Sequence, residues 1–126
     1  MSERISGALN AAPDTPRERI AALSRAYLSF ATTERGMFEL MFRHDLLRSD
    51  YLGLRDAALP LFRLLVGLVA AASPEPSPQV VAGAIWAGLH GTAQLWNWGS
   101  LTLATGATDP APFVDALLTA HLGRQP

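Results

Sequence analysis

Apolar residues recur along this chain at spacings of three and four, and nowhere over a useful length do they alternate every second residue. That period belongs to helices that bury one stripe. From Arg17 onward, Ile20, Leu23, Tyr27, Phe30 and Ala31 share a side while Arg17, Arg25 and Ser29 take the other, which predicts an amphipathic helix to about Thr33. Gly36 is expected to break it. A short helix over about Met37–Leu47 follows, stacking Met37 on Met41 and Phe38 on Phe42 as i, i+4 pairs. A longer helix, capped by Ser49 or Asp50, runs from Tyr51 to about Ala72 and turns Leu54, Ala58, Leu61, Phe62, Leu65 and Leu68 inward. Pro60 lies inside it, removes one backbone bond, and predicts a kink near Asp56–Pro60. Two more helices complete the set, Pro78–Trp98 and Pro110–Leu122, the last closed by Gly123.

Three of these starts carry explicit punctuation. Thr15-Pro16-Arg17-Glu18 places a capping hydroxyl, a proline at the first helical position and a glutamate at the third, a capping box. Ser77-Pro78 and Asp109-Pro110 repeat the cap-then-proline order. Ser73–Pro78 reads as a stiff, extended connection, and Gly99–Asp109 as a loop of small residues. Ser2–Ala12 is a helix fragment with one weak stripe, Ile5 and Leu9, and reads as the tail of something longer. The expected fold is all-α, an antiparallel helical bundle of about five to six helices. Residues 1–12 are expected to be the tail of a connecting helix, and residues 13–126 one domain.

Composition sharpens this. Hydrophobic residues make up 49 % and charged residues only 17 % of the 126. The usual charged fraction is about a quarter, so apolar surface is left over for a cavity, an oligomer interface or both. A net charge of −1 without any basic block excludes the electrostatic footprint of a nucleic-acid binder. Zero cysteines exclude disulfides, thiolate metal sites and a cysteine nucleophile. Met1–Ala12 has no continuous apolar core, and Leu64–Ala72 is too short to span a bilayer, so a soluble, cytoplasmic protein is expected.

The segment Pro78–Trp98 is apolar on both sides. Gly83, Ala84, Ala87, Gly88, Gly91 and Thr92 make a small-residue face, extended by Leu95 and Trp98. Ile85, Trp86, Leu89, Ala93 and Trp96 make a bulky one, with His90 and Asn97 on its polar edge. A helix apolar all round is buried all round. Its bulky side is expected to face its own bundle and its small side a second copy. Ala84, Gly88, Gly91, Leu95 and Trp98 would form a four-helix interface there with Phe113, Leu117 and His121 of the last helix; the alternative is the interior of a monomer.

His90 has two readings: a core histidine satisfied by a neighbouring polar group, or a ligand-contacting, pH-sensitive group at a pocket edge. Tyr27, Phe30, Met37, Phe38, Met41, Phe42, Phe62 and Trp86 are core residues first. Methionine and phenylalanine pairs are also adaptable fillers around apolar pockets, so these residues with His90 are the candidate ligand-binding set. No cofactor or metal is expected, since His44, His90 and His121 fall on three different helices without ligand spacing. No nucleophile elbow or paired-carboxylate spacing is present, and an enzyme is not expected.

Trp86-Ala87-Gly88-Leu89-His90-Gly91 resembles the Trp-x-x-x-His-Gly signature of C-terminal effector domains in the tetracycline-repressor (TetR) family. Tyr27-Leu28-Ser29-Phe30-Ala31 and Leu40-Met41-Phe42 resemble two further landmarks of that domain, and the similarity covers about residues 3–123. The resemblance implies a ligand-sensing and dimerisation domain of a transcriptional repressor. A small hydrophobic ligand enters the bundle, the homodimer shifts, and an attached DNA-binding head releases its operator. The family's N-terminal helix-turn-helix is absent from the sequence, so DNA contact is expected only through such a head. The alternative is a free-standing helical protein that binds a hydrophobic molecule, or forms heterodimers with full-length regulators, without DNA-binding activity of its own.

Overall fold

A computed structural model describes Gly7 and residues 15–41, 54–73 and 77–123, with residues 41 and 54–58 described in backbone only. Among the described residues there are six helices and no strand. They are α1 (Pro16–Thr33), α2 (Arg35–Met41), α3 (Leu54–Ala72), α4 (Pro78–Asn97), α5 (Ser100–Thr105) and α6 (Ala111–Leu122). The all-α reading holds. The tail over 1–12, the second half of the expected Met37–Leu47 helix, the start at Tyr51 and most of the proline-rich connection lie outside the described residues.

Thr15 opens α1 as expected, its hydroxyl accepting the backbone N–H of Glu18 at 3.2 Å with Pro16 in the first turn. Such a cap contributes about 1 kcal/mol. The end of α1 differs from expectation, because Gly36 does not break it. The helix stops at Thr33, Glu34 turns the chain, and Gly36 sits within the first turn of α2. The stop is at Glu34, whose φ of −112° and ψ of 57° leave the helical region. The Thr32 hydroxyl donates to Leu28 O at 2.9 Å and the Thr33 hydroxyl to Ser29 O at 2.6 Å, adding donors to carbonyls of the final turns.

Two other boundaries also change. Ser77 makes no side-chain cap; its carbonyl instead accepts from Val80 N and Val81 N at 3.1 and 3.2 Å. Asp109 does work as a cap, its carboxylate accepting Ala111 N at 3.0 Å. The stretch Gly99–Asp109 is not all loop, for it contains α5. Glycines with φ of +81° and +75°, Gly99 and Gly106, bracket that helix, turns that a side chain would strain. Small residues hid a helix whose ends are set by glycine geometry. The chain remains helical through Pro60 in α3.

Helices α1 and α4 are the two hubs. The first packs against α2, α3, α4 and α6, and the second against α1, α3, α5 and α6. Ile20, Leu23, Tyr27, Phe30 and Ala31 of α1 are buried with Ile85, Leu89 and Ala93 of α4, Leu65 and Val69 of α3, and Val114 and Leu118 of α6. Asn97 donates its amide to Ala31 O at 3.0 Å, tying the last turn of α4 to that of α1. Arg25 and Asp115 join α1 to α6 at 3.2 Å, but both are exposed and the pair adds little. Among the described residues, no helix is long and apolar enough to cross a membrane.

Candidate functional site

Where the hubs cross, four ring-bearing side chains from three helices meet. Tyr27 comes from the apolar stripe of α1, Phe38 from α2, and Trp86 and His90 from one face of α4, a single turn apart. The Tyr27 hydroxyl lies 3.2 Å from Nδ1 of His90 and is also hydrogen-bonded by Trp86. Phe38 wedges between them. Its ring stands edge-on to Tyr27 at 5.9 Å and lies tilted by 37° over His90 at 5.0 Å. Phe62 of α3 extends the cluster, its ring 5.8 Å from that of Trp86.

Phe38 is fully buried, whereas Met37 beside it is half exposed. The contrast follows from a helix of seven residues that turns one side toward α1 and α4. Met37 therefore faces away from the cluster in which the sequence grouped it. Phe30 is buried further along α1. The side chain of Met41 and the whole of Phe42 lie outside the described residues.

The electrostatics of the cluster are those of a dry site. Burial pushes the Tyr27 phenol well above its ordinary range, and the Trp86 hydrogen bond pulls weakly the other way. Burial also lowers the pKa of His90 from 6.5, favouring the neutral ring. α4 itself contains no Asp, Glu, Lys or Arg between Pro78 and Asn97. The described side chains of the cluster itself, Tyr27, Phe38, Phe62, Trp86 and a His90 ring pushed toward its neutral form, bring no fixed charge. Among the described residues, no group of three His, Asp or Glu side chains could hold a metal ion.

His90 has a hydrogen-bond partner in Tyr27, as the core reading expects, and that partner is another member of the candidate ligand set. Sequence reasoning named Tyr27 and His90 but not the bond between them. The available signal was that a buried tyrosine needs a partner for its hydroxyl, and His90 is the one ionisable side chain on α4. Asn97 is not joined to His90; its amide nitrogen serves Ala31, and its Oδ1 is buried without a hydrogen-bond partner.

The small-residue face of α4 is covered in part by its own chain. A methyl group added at Gly88 would stand 2.5 Å from Cδ1 of Leu117 on α6. The helical cost of Gly88 is thus offset within the subunit, by close approach of α6. Gly83 and Gly91 differ, since nothing among the described residues lies within 4 Å of a methyl group added there. Around them runs a stripe of Val80, Ala84, Ala87, Gly91, Leu95 and Trp98 at helical spacing, with Trp98 64 % and Val80 70 % exposed. On α6, Phe113 is half-buried and His121 exposed in the last turn. Leu103 of α5, 89 % exposed, and Val80 were missed, because the first sat in a presumed loop and the second in a first turn.

A family profile described as "Tetracyclin repressor-like, C-terminal domain" matches residues 20–121. Searches of curated proteins and of solved structures returned no match.

Proposed function

The chain belongs to the tetracyclin-repressor-like C-terminal domain family, and we propose that it is the ligand-sensing and dimerisation domain of a TetR-type transcriptional repressor working in the cytoplasm. The observation that carries this is the division of labour on α4. One helix without a charged residue builds an uncharged aromatic cluster with α1, α2 and α3 on its inner side, and leaves an apolar stripe on its outer side. A small apolar effector would enter among Tyr27, Phe38, Phe62, Trp86 and His90, with Phe30 and the methionines and Phe42 of the short helix around it. A second copy would cover Ala84, Gly91, Leu95, Trp98 and Phe113, with Gly88, Leu117 and His121 on the seam between α4 and α6. An insertion that parts Phe38 from His90 would move α2 and α4 relative to α1, and a DNA-binding head coupled to this domain would follow that motion.

Two measurements test the proposal. Sedimentation velocity at high micromolar concentration is expected to show a dimer, and a monomer there would remove the interface. A thermal-shift screen of uncharged apolar compounds is expected to yield ligands that raise Tm. Those shifts should shrink in Phe62→Ala, which opens the side of the cluster; ligands indifferent to that change would bind elsewhere.

A further inference from the structure

The corner between α1 and α2 is finished by a third helix. At Glu34 the chain leaves α1, so the last carbonyls of that helix need partners beyond its own N–H groups. Two come from the corner itself. The Glu34 N–H donates to Phe30 O at 2.8 Å, and Nε of Arg35 donates to Thr32 O at 3.2 Å. The carbonyl between them is served from elsewhere: Asn97, the last residue of α4 and 66 positions along the chain, donates its amide to Ala31 O at 3.0 Å.

Asparagine is a costly choice at that position. It is half-buried on a helix that is apolar on both long faces, and its Oδ1 is out of water with no hydrogen-bond partner among the described residues. An orphaned acceptor lowers stability, which an apolar side chain there would not do. The amide cannot turn over to relieve it, because Oδ1 would then face Ala31 O, acceptor against acceptor. What the position gains is the donor's bond to α1.

That bond fixes where α2 begins. A helix of seven residues is far too short to be stable alone. Its anchors are Phe38, fully buried against Tyr27 and His90, and the corner, where the Phe38 N–H donates to Glu34 O at 2.9 Å. Three residues before Glu34, Asn97 holds the end of α1 against α4.

We propose that Asn97 is a positioning residue: through the Ala31 carbonyl it sets where α2 lays Phe38 on the ring cluster. The inference builds on the ligand-sensing role above, since an effector that parts Phe38 from His90 would act on the corner that Asn97 holds.

Double-mutant cycles in urea titrations of the full chain, without ligand, test it. Phe38→Ala should raise the unfolding equilibrium constant about three- to tenfold less in an Asn97→Ala background than alone; Phe38→Leu takes its place if the alanine pair does not fold. Val114→Ala, in the buried face of α6, should have the same effect in both backgrounds to within about twofold. Asn97→Leu, which nearly keeps the size and removes the donor, should blunt Phe38→Ala as Asn97→Ala does. An undiminished Phe38 effect in either background would overturn the proposal. Equal blunting at Phe38 and Val114 would overturn it too, making Asn97 a general support of the bundle. No ligand enters these measurements, so their failure leaves the sensing role standing, and an empty thermal-shift screen leaves the role of Asn97 standing.

Discussion

The two long faces of α4 are completed in different ways. On the inner face the chain supplies its own partners: Tyr27 for Trp86 and His90, Phe38 over the imidazole, Phe62 against the indole. Those contacts are directional, and a hydrogen bond or an edge-on ring tolerates only a narrow range of placements. The outer stripe from Val80 to Trp98 has no charged group and is partly uncovered within the chain. Apolar contact there would be non-directional. An inner face built this way specifies position, whereas the outer one can only adhere. Substitutions inside should therefore register in the stability of the subunit, and substitutions outside in its association.

The largest expected effect is at Phe38. It is α2's fully buried side chain and touches both Tyr27 and His90. Phe38→Ala should cost about 3–5 kcal/mol of unfolding free energy in urea titrations, the usual range for a truncated core phenylalanine. Met37→Ala, one residue away but half exposed, should change stability by less than about 0.5 kcal/mol. Equal losses at the two positions would erase the distinction between the inside and outside of α2.

Next comes the boundary between the faces. Gly88→Leu must displace Leu117, and should cost about 1–3 kcal/mol through overpacking. Introduced into a Leu117→Ala background, the same change should cost markedly less, a coupling that a double-mutant cycle reads directly. Additive effects would place the pressure at Gly88 somewhere other than α6. On the outer stripe, Trp98→Glu should leave the urea midpoint of the dilute subunit nearly unchanged. It should weaken self-association by about tenfold, or roughly 1.4 kcal/mol, in sedimentation equilibrium. A large loss of subunit stability instead would make Trp98 part of the core.

These differences also explain what could be seen in the sequence. The stripes Ile20–Ala31 and Ile85–Ala93 were legible because burial follows a helical period, and the Thr15 and Gly123 boundaries because their chemistry is local. The family was legible in Trp86, His90 and Gly91, which the family match bears out. The Tyr27–His90 bond was less so, because it joins residues 63 positions apart and no local pattern encodes a distance. The glycines were the hardest. Gly88 and Gly91 look alike in sequence, yet a methyl group added at one would strike Leu117, while at the other it would meet nothing within 4 Å among the described residues. Gly36 looked like a breaker, but the backbone turn at Glu34 had already ended α1.

The smallest expected effect is a pH dependence confined to the inner face. Burial lowers the pKa of His90 below its ordinary 6.5, so the folded protein binds a proton less readily there than the unfolded chain does. Above pH 6.5 neither state holds that proton and His90 adds no slope. As pH falls through 6.5 the unfolded chain takes up a proton that the folded one refuses, so stability drops. The drop ends once pH passes below the depressed folded-state value and both states are protonated. Urea titrations at half-unit steps from pH 8 to 5 should show this loss in the unmodified protein, and His90→Gln should remove His90's share of it. A difference of opposite sign would mean that folding gives His90 an acidic partner. Trp98 and Leu95 have no group that titrates in this range, so neither side chain adds to that slope.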